Sequence, residues 1–75
     1  MTISEHDALT FGRTLCLTRR RCGLSQEGLA RGAGLCRDTI WKTEMGLRSP
    51  TLGTLLALAD ALGVDPCRLL DGLRP

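Results

Sequence analysis

The sequence predicts an all-α domain built from five short helices. Apolar residues recur at helical spacing between glycine, proline and N-cap residues along most of the chain. Phe11 and Trp41 are the only aromatic residues, so the core must consist of Leu, Ala, Ile and Val, a composition that favours helices over a sheet. A third observation is the segment 26–40, which has the pattern of a short helix, a tight turn and the start of a second helix.

Three positions define this helix–turn–helix unit. Ala30 is small enough to lie where two helices cross closely, Gly34 can adopt the positive φ that the turn needs, and Ile40 can pack back onto the first helix. Such a unit holds its second helix rigidly and leaves the outer face of that helix free. This is the geometry that places a helix in the major groove of DNA.

Length and composition narrow the classes of function. Seventy-five residues predict a single domain over 1–75 with a core over about 7–71, and the net charge of +2 is a mild basic bias. The chain has one His, no Tyr and no set of side chains at a catalytic spacing, so we expect no enzyme. Neither a signal peptide nor a transmembrane run is visible, which predicts a cytoplasmic protein that does not associate with a membrane.

The four cysteines are expected to be free thiols in a reducing compartment. Cys16, Cys22 and Cys67 are interpreted as small buried hydrophobic residues. The chain has no C-x-x-C pair, and its single histidine, His6, lies near the N-terminus, so we expect no metal and no cofactor.

Capping residues set the predicted helix bounds. Helix 1 is predicted over about Asp7 to Cys22, helix 2 begins after Ser25, and helix 3 spans about Arg37 to Met45. The three consecutive arginines at residues 19–21 either complement the negative end of the helix 1 dipole or contact DNA.

The last two predicted helices follow short connections. Thr51 is expected to cap helix 4, and Asp65 followed by Pro66 is expected to open helix 5. The apolar stripe of helix 4 is predicted to consist of Leu52, Leu55, Leu56, Ala59 and Leu62.

These elements carry a family resemblance over about residues 9 to 71. The segments GLSQExLA from residue 23, AGL from residue 33, TIxKxExG from residue 39 and PTLxTLLxLAxALGV from residue 50 resemble the Cro/cI-type (Xre-type) helix-turn-helix domain. The resemblance implies a lambda-repressor-like fold of five helices, with the helix-turn-helix at helices 2 and 3. It also implies that the partner is double-stranded DNA and that the protein is a homodimer.

Transferred by position, the resemblance implies two sets of residues. A salt bridge between Arg19 and Glu44 would tie helix 1 to helix 3. The DNA contacts that the resemblance implies are Gln26, Arg37, Asp38, Lys42 and Arg48, and Thr39 and Trp41 are also expected to contact DNA.

The chemistry of these residue types agrees with the implied roles. Arg37 can donate two hydrogen bonds to guanine, Asp38 can accept one from the cytosine amino group, and Lys42 and Arg48 can neutralise phosphates. Gln26 can contact a phosphate without reading sequence and can brace helix 3.

Helix 3 departs from the family pattern at two positions. Thr43 stands where a large apolar anchor is common, and Trp41 stands where a small or polar residue is common. Either Trp41 lies across the surface, where it shields the site or contacts a thymine methyl or sugar, or helix 3 is rotated slightly and Trp41 packs inward. Either arrangement would shift the base-reading set by one residue, which affects the assignment of Lys42. Thr18 also replaces a leucine, and we expect Thr18 and Thr43 to pair through their hydroxyls. Cys36 at the start of helix 3 is a candidate redox switch, because a helix N-terminus lowers the pKa of a thiol.

The expected function is that of a transcriptional regulator that binds a near-palindromic operator as a homodimer. A restriction–modification controller and a phage-type repressor both fit, and an antitoxin that binds a toxin is the alternative. No small-molecule ligand is expected. The dimer interface is predicted at Leu58, Val64, Leu69, Leu70 and Leu73.

Overall fold

The computed structural model describes residues 4–73, and these residues form five helices. Their bounds are α1 Glu5–Arg21, α2 Gln26–Ala33, α3 Arg37–Glu44, α4 Leu52–Leu62 and α5 Pro66–Leu69. The predicted all-α class and the order of its elements are confirmed. α1 packs against α3 and α5, while α2 packs against α3 and α4.

Side-chain caps begin four of the helices. The hydroxyl of Ser25 accepts a hydrogen bond from the Gly28 amide at 2.9 Å, and Thr51 Oγ1 accepts one from the Thr54 amide at 3.1 Å. The Asp65 carboxylate caps α5 in the same way, with Pro66 in the first turn. The fourth cap is Ser4, whose side chain accepts a hydrogen bond from the Asp7 amide. Because this cap precedes the predicted start near Asp7, α1 begins earlier, at Glu5.

The core consists of apolar side chains from all five helices. It contains Phe11, Leu15, Leu29, Ala30, Ile40, Leu58, Ala59, Leu62 and Leu69. Two residues of the predicted dimer interface, Leu58 and Leu69, are fully buried here. That part of the prediction is wrong, because side chains that hold the monomer together cannot also form its outer surface. The other three remain reachable, since Leu70 is exposed and Val64 and Leu73 are partly exposed.

The apolar stripe of α4 is also different from the predicted one. Leu55, Leu58, Ala59 and Leu62 face the core, whereas Leu52 and Leu56 are 72% and 49% exposed. The buried positions follow the i, i+3, i+4, i+7 pattern, which leaves the two exposed leucines one turn apart on another face.

A glycine in α1 lets α3 approach closely. A Cβ atom on Gly12 would lie 2.5 Å from the backbone oxygens of both Thr43 and Glu44. Any larger residue would therefore push the two helices apart. This contact joins residues far apart in sequence, and nothing in the local pattern of α1 predicts it.

The predicted burial of the cysteines is wrong for two of the three. Cys22 caps the C-terminal end of α1 and Cys67 lies in the first turn of α5, and both positions are exposed. Cys16 is partly buried and accepts a hydrogen bond from Arg19 Nη2 to its Sγ at 3.7 Å.

The predicted hydroxyl pair does not form. Thr18 Oγ1 donates to the Thr14 carbonyl at 2.8 Å, and Thr43 Oγ1 donates to the Thr39 carbonyl at 2.7 Å. Each hydroxyl is satisfied within its own helix, so neither threonine needs the other as a partner.

Candidate nucleic-acid interface

The turn between α2 and α3 has the geometry that the sequence predicts. Gly34 adopts φ 70° and ψ 31°, a left-handed conformation that glycine tolerates without a steric penalty. The Leu35 amide then donates to the Ala30 carbonyl at 2.8 Å, which closes the end of α2. Ala30 and Ile40 are both buried, so the two helices meet through a small residue and an apolar anchor.

A polar network fixes α3 against α1 and α2. Arg19 Nε donates to Glu44 Oε2 at 2.6 Å, and Arg19 Nη2 donates to Glu44 Oε1 at 3.1 Å, which forms the ion pair that the resemblance implies. Gln26 Nε2 donates to Glu44 Oε1 at 3.0 Å, and Arg19 Nη1 donates to the Leu24 carbonyl at 2.8 Å. Glu44 on α3 is therefore held by side chains from two other elements.

The protonation states of this pair follow from its surroundings. Burial by itself would raise the pKa of the Glu44 carboxyl, but the hydrogen bonds from Arg19 and Gln26 and the guanidinium charge outweigh it and leave that pKa below its ordinary value. The hydrogen bond to Glu44 raises the pKa of Arg19 further above its already high value. Both groups stay charged at neutral pH, so the bridge is ionic.

The outer face of α3 carries most of the predicted DNA-contacting side chains. Arg37 and Asp38 are exposed in its first turn, and Trp41 follows one turn later with 43% of its surface exposed. These three line one shallow hollow on the protein surface. Lys42 is half exposed beside them, and Thr39 is partly exposed.

The structure also decides between the two orientations of helix 3. Trp41 is exposed and Thr43 is buried at 1% exposure, so α3 is not rotated and its apolar anchor is Ile40. Trp41 therefore lies on the outer face of α3 beside Arg37 and Asp38, and the expected shift of the base-reading set stays a prediction.

An ion pair on this face was not foreseen. Lys42 Nζ lies 3.0 Å from Asp38 Oδ2, with the two residues one helical turn apart. Their spacing of four residues, with the acid on the N-terminal side, is the sequence signal that could have found it. The residue types alone had instead indicated two different DNA groups, a base for Asp38 and a phosphate for Lys42.

The remaining predicted contacts lie outside α3. Gln26 begins α2 and uses its amide nitrogen to brace Glu44, which leaves it partly exposed. Arg48 is exposed in the connection between α3 and α4. Cys36 is the N-cap of α3, but its thiol makes no capping hydrogen bond. In the described range 4–73 no cluster of potential metal ligands is present, and none of the helices is long and apolar enough to cross a bilayer.

The two crossed helices, the left-handed turn and the rigidly held polar face together define a DNA-binding helix-turn-helix protein. A family model described as a helix-turn-helix domain matches residues 10–71. The chain therefore belongs to the helix-turn-helix family. A relative in Sinorhizobium fredii, the uncharacterized HTH-type transcriptional regulator y4dJ, is 37% identical over 59 residues, which is 79% of this chain and 77% of that protein.

Two solved structures extend the similarity to three dimensions. The restriction-modification controller protein C.AhdI from Aeromonas hydrophila superposes with a TM-score of 0.84 and 41% identity, over 85% of this chain and 97% of that one. A hypothetical transcription factor from Neisseria, NHTF, superposes with a TM-score of 0.81 and 34% identity, over 89% of this chain and 76% of that one. These likenesses confirm the predicted five-helix DNA-binding fold.

Proposed function

We propose that this chain regulates transcription by binding a near-palindromic operator as a homodimer, with α3 of each protomer in the major groove. The observation that carries the proposal is the way α3 is held. Its inner side is fixed by the Glu44 network, and its outer side leaves Arg37 and Trp41 free. A rigid helix with an exposed polar face is what base recognition in the major groove requires.

The side chains of this face suit different DNA groups. Among residues 4–73, Arg37 has no acidic partner, and its guanidinium can donate two parallel hydrogen bonds to guanine O6 and N7. Asp38 can accept from a cytosine amino group. Arg48 and Lys42 can neutralise phosphates and release counterions. The proposed half-site therefore contains guanine and cytosine.

A homodimer follows from the small number of phosphate contacts that one protomer can make, because each contact adds only a modest part of the affinity. The exposed side of α4 is the proposed contact, with Leu52 and Leu56 one turn apart on either side of Gly53. A Cβ on Gly53 would meet only the Thr51 hydroxyl oxygen at 3.9 Å, so nothing within the protomer explains a glycine in this helix. A second copy of α4 could approach closely at this point. Leu70 would extend the contact.

Among the regulators that the sequence allows, we favour a restriction–modification controller. The support is the similarity to the controller C.AhdI. The two chains are 41% identical, and the superposition covers 97% of C.AhdI. Such a protein would act in the cytoplasm, where the DNA lies, and would bind DNA rather than catalyse a reaction.

Fluorescence anisotropy tests the proposal. Labelled DNA from upstream of the gene is titrated with protein, and scrambled DNA of the same composition is the control. We expect Arg37→Ala to weaken binding to the native fragment by about 1–3 kcal/mol, since it removes a bidentate base contact. Arg13→Ala changes the same residue type at an exposed position of α1, outside the helix-turn-helix, and should bind almost as wild type. Equal binding of wild type to both DNAs would contradict the proposal.

A further inference from the structure

The outer side of α3, with Arg37, Asp38, Trp41 and Lys42, is called the recognition face below, and an ion pair neutralises part of its charge. Of the three charged side chains exposed on α3, Arg37 and Lys42 are basic and Asp38 is acidic, and Asp38 lies 3.0 Å from Lys42. Glu44 does not enter this balance because it is bound to Arg19 on the other side of the helix. The face that meets DNA therefore carries one net positive charge instead of two.

Stability does not explain the pair. The side chains of Asp38 and Lys42 are 67% and 45% exposed, so water and salt screen their attraction and the pair stabilises α3 only weakly. A pair that adds little to folding but lies on the binding face has its main effect on binding.

We propose that Asp38 is a specificity-determining residue that weakens binding to DNA of the wrong sequence. This inference rests on the proposed operator-binding function and names how that same face discriminates. In a complex with arbitrary DNA, affinity comes almost entirely from phosphates, which a carboxylate repels. In such a complex the DNA displaces water around the pair, so its attraction is stronger than in the free protein, and Asp38 keeps Lys42 from the phosphates.

The correct sequence changes this balance. A base pair that presents an amino group in the major groove gives the Asp38 carboxylate a donor of its own. Lys42 is then released from the ion pair and can reach a phosphate. The same acid therefore lowers affinity for arbitrary DNA and contributes to affinity for the operator, and the ratio of the two affinities increases on both counts.

Salt dependence measures the effect directly. Affinity for random-sequence duplex is measured over a range of salt concentrations for wild type, Asp38→Asn and Asp7→Asn. Asp7 is a partly exposed aspartate in the first turn of α1, so its variant carries the same change in net charge away from α3 and from the proposed dimer contact on α4. We expect Asp38→Asn to bind random DNA about five- to tenfold more tightly, with a salt slope steeper by about one unit per protomer. Asp7→Asn should stay close to wild type.

A second variant tests the coupling to Lys42. Lys42→Gln should change binding to random DNA little in the wild-type background. In the Asp38→Asn background it should remove the gained affinity, because Lys42 is free only when Asp38 is absent. Equal effects of Lys42→Gln in both backgrounds would overturn the inference.

The last measurement is the affinity for the operator. The operator duplex is obtained by selecting, from a pool of random-sequence DNA, the duplexes that the wild-type protein binds. We expect Asp38→Asn to lower the ratio of operator to random-DNA affinity at least tenfold. Asp38→Asn and Asp7→Asn behaving alike would overturn the inference, and wild-type operator binding would then still support the proposed function. Failure of the wild type to bind any DNA would instead overturn the proposed function itself.

Discussion

Arg19 and Glu44 join α1 to α3 through two hydrogen bonds, and their side chains are only 10% and 5% exposed. Glu44 lies two residues after Lys42, so this bridge acts on the helix whose opposite face carries the proposed DNA contacts. The same pair therefore stabilises the fold and sets the orientation of the recognition helix.

Removing one partner of this bridge should be strongly destabilising. We expect Glu44→Ala to lower the free energy of unfolding by about 3–5 kcal/mol, because it leaves the Arg19 guanidinium nearly buried without a counter-charge. Urea denaturation followed by circular dichroism measures the change. Glu27→Ala is the control, since its pair with Arg31 is exposed and 3.9 Å long and should contribute no more than about 0.5 kcal/mol. Equal losses in the two variants would contradict a structural role for the bridge.

The bridge also predicts how stability depends on pH. The pKa of Glu44 is lower in the folded protein than its ordinary value of 4.5, so the unfolded chain binds the proton first as the pH falls. The contribution of Glu44 is complete above about pH 4.5 and is lost as the pH falls through the folded-state pKa. Urea unfolding of wild type and Glu44→Gln from about pH 7 to about pH 3 tests this. The difference between the two proteins should shrink at the acid end, and a constant difference would be evidence against it.

Local signals predicted the beginnings of α2, α4 and α5 because a cap depends on a few neighbouring residues. Ser25, Thr51 and Asp65 each accept a hydrogen bond from a backbone amide two or three residues ahead. The buried face of α4 was harder to predict. Leucine occupies so many of its positions that several faces are apolar, and only contacts with α2 and α5 decide which one is buried.

Long-range contacts explain the other differences. Gly12 lies in an ordinary helical pattern, and its close approach to α3 involves residues more than thirty positions away. The Asp38–Lys42 ion pair, in contrast, has a local signal, the spacing of four residues. It was not predicted because each of the two side chains was expected to contact DNA. The orientation of Trp41 depended on whether a threonine could occupy the buried position where a large apolar side chain is common. Thr43 can be buried there because its hydroxyl donates to the Thr39 carbonyl of the same helix.

The helix crossing at Gly12 gives a third prediction. Gly12→Ala should destabilise the fold by about 1–3 kcal/mol, because its Cβ would overlap the backbone of α3 and force a shift. Gly32→Ala is the matched control, since its Cβ would meet the Ala61 Cβ at an ordinary 3.5 Å. Alanine is the better helix former, so that variant should be stabilised by up to about 1 kcal/mol. Thermal unfolding of both variants checks the opposite signs, and a stabilised Gly12→Ala would refute the close crossing.

The exposed face of α4 gives a fourth prediction. Leu56→Glu should shift the protein from dimer to monomer in sedimentation equilibrium, because the charge would be buried against the second copy. Its unfolding free energy at low protein concentration should stay near that of wild type, as Leu56 is half exposed in the protomer. Leu17→Glu introduces the same charge at another exposed leucine, on α1, and should leave the dimer intact. A dimer that survives Leu56→Glu but not Leu17→Glu would place the interface elsewhere.

Trp41 allows the recognition face to be observed directly, because it is the only tryptophan of the chain and lies on α3 with 43% of its surface exposed. The free protein should therefore show the emission of a hydrated indole that iodide quenches readily. Insertion of α3 into the major groove removes water from the ring and brings phosphate charge close, so operator DNA should shift the emission to the blue and reduce iodide quenching. Trp41→Phe keeps an aromatic ring and supplies the fluorescence blank. If anisotropy reports complete binding while iodide access to Trp41 is unchanged, then another face of the protein contacts the DNA.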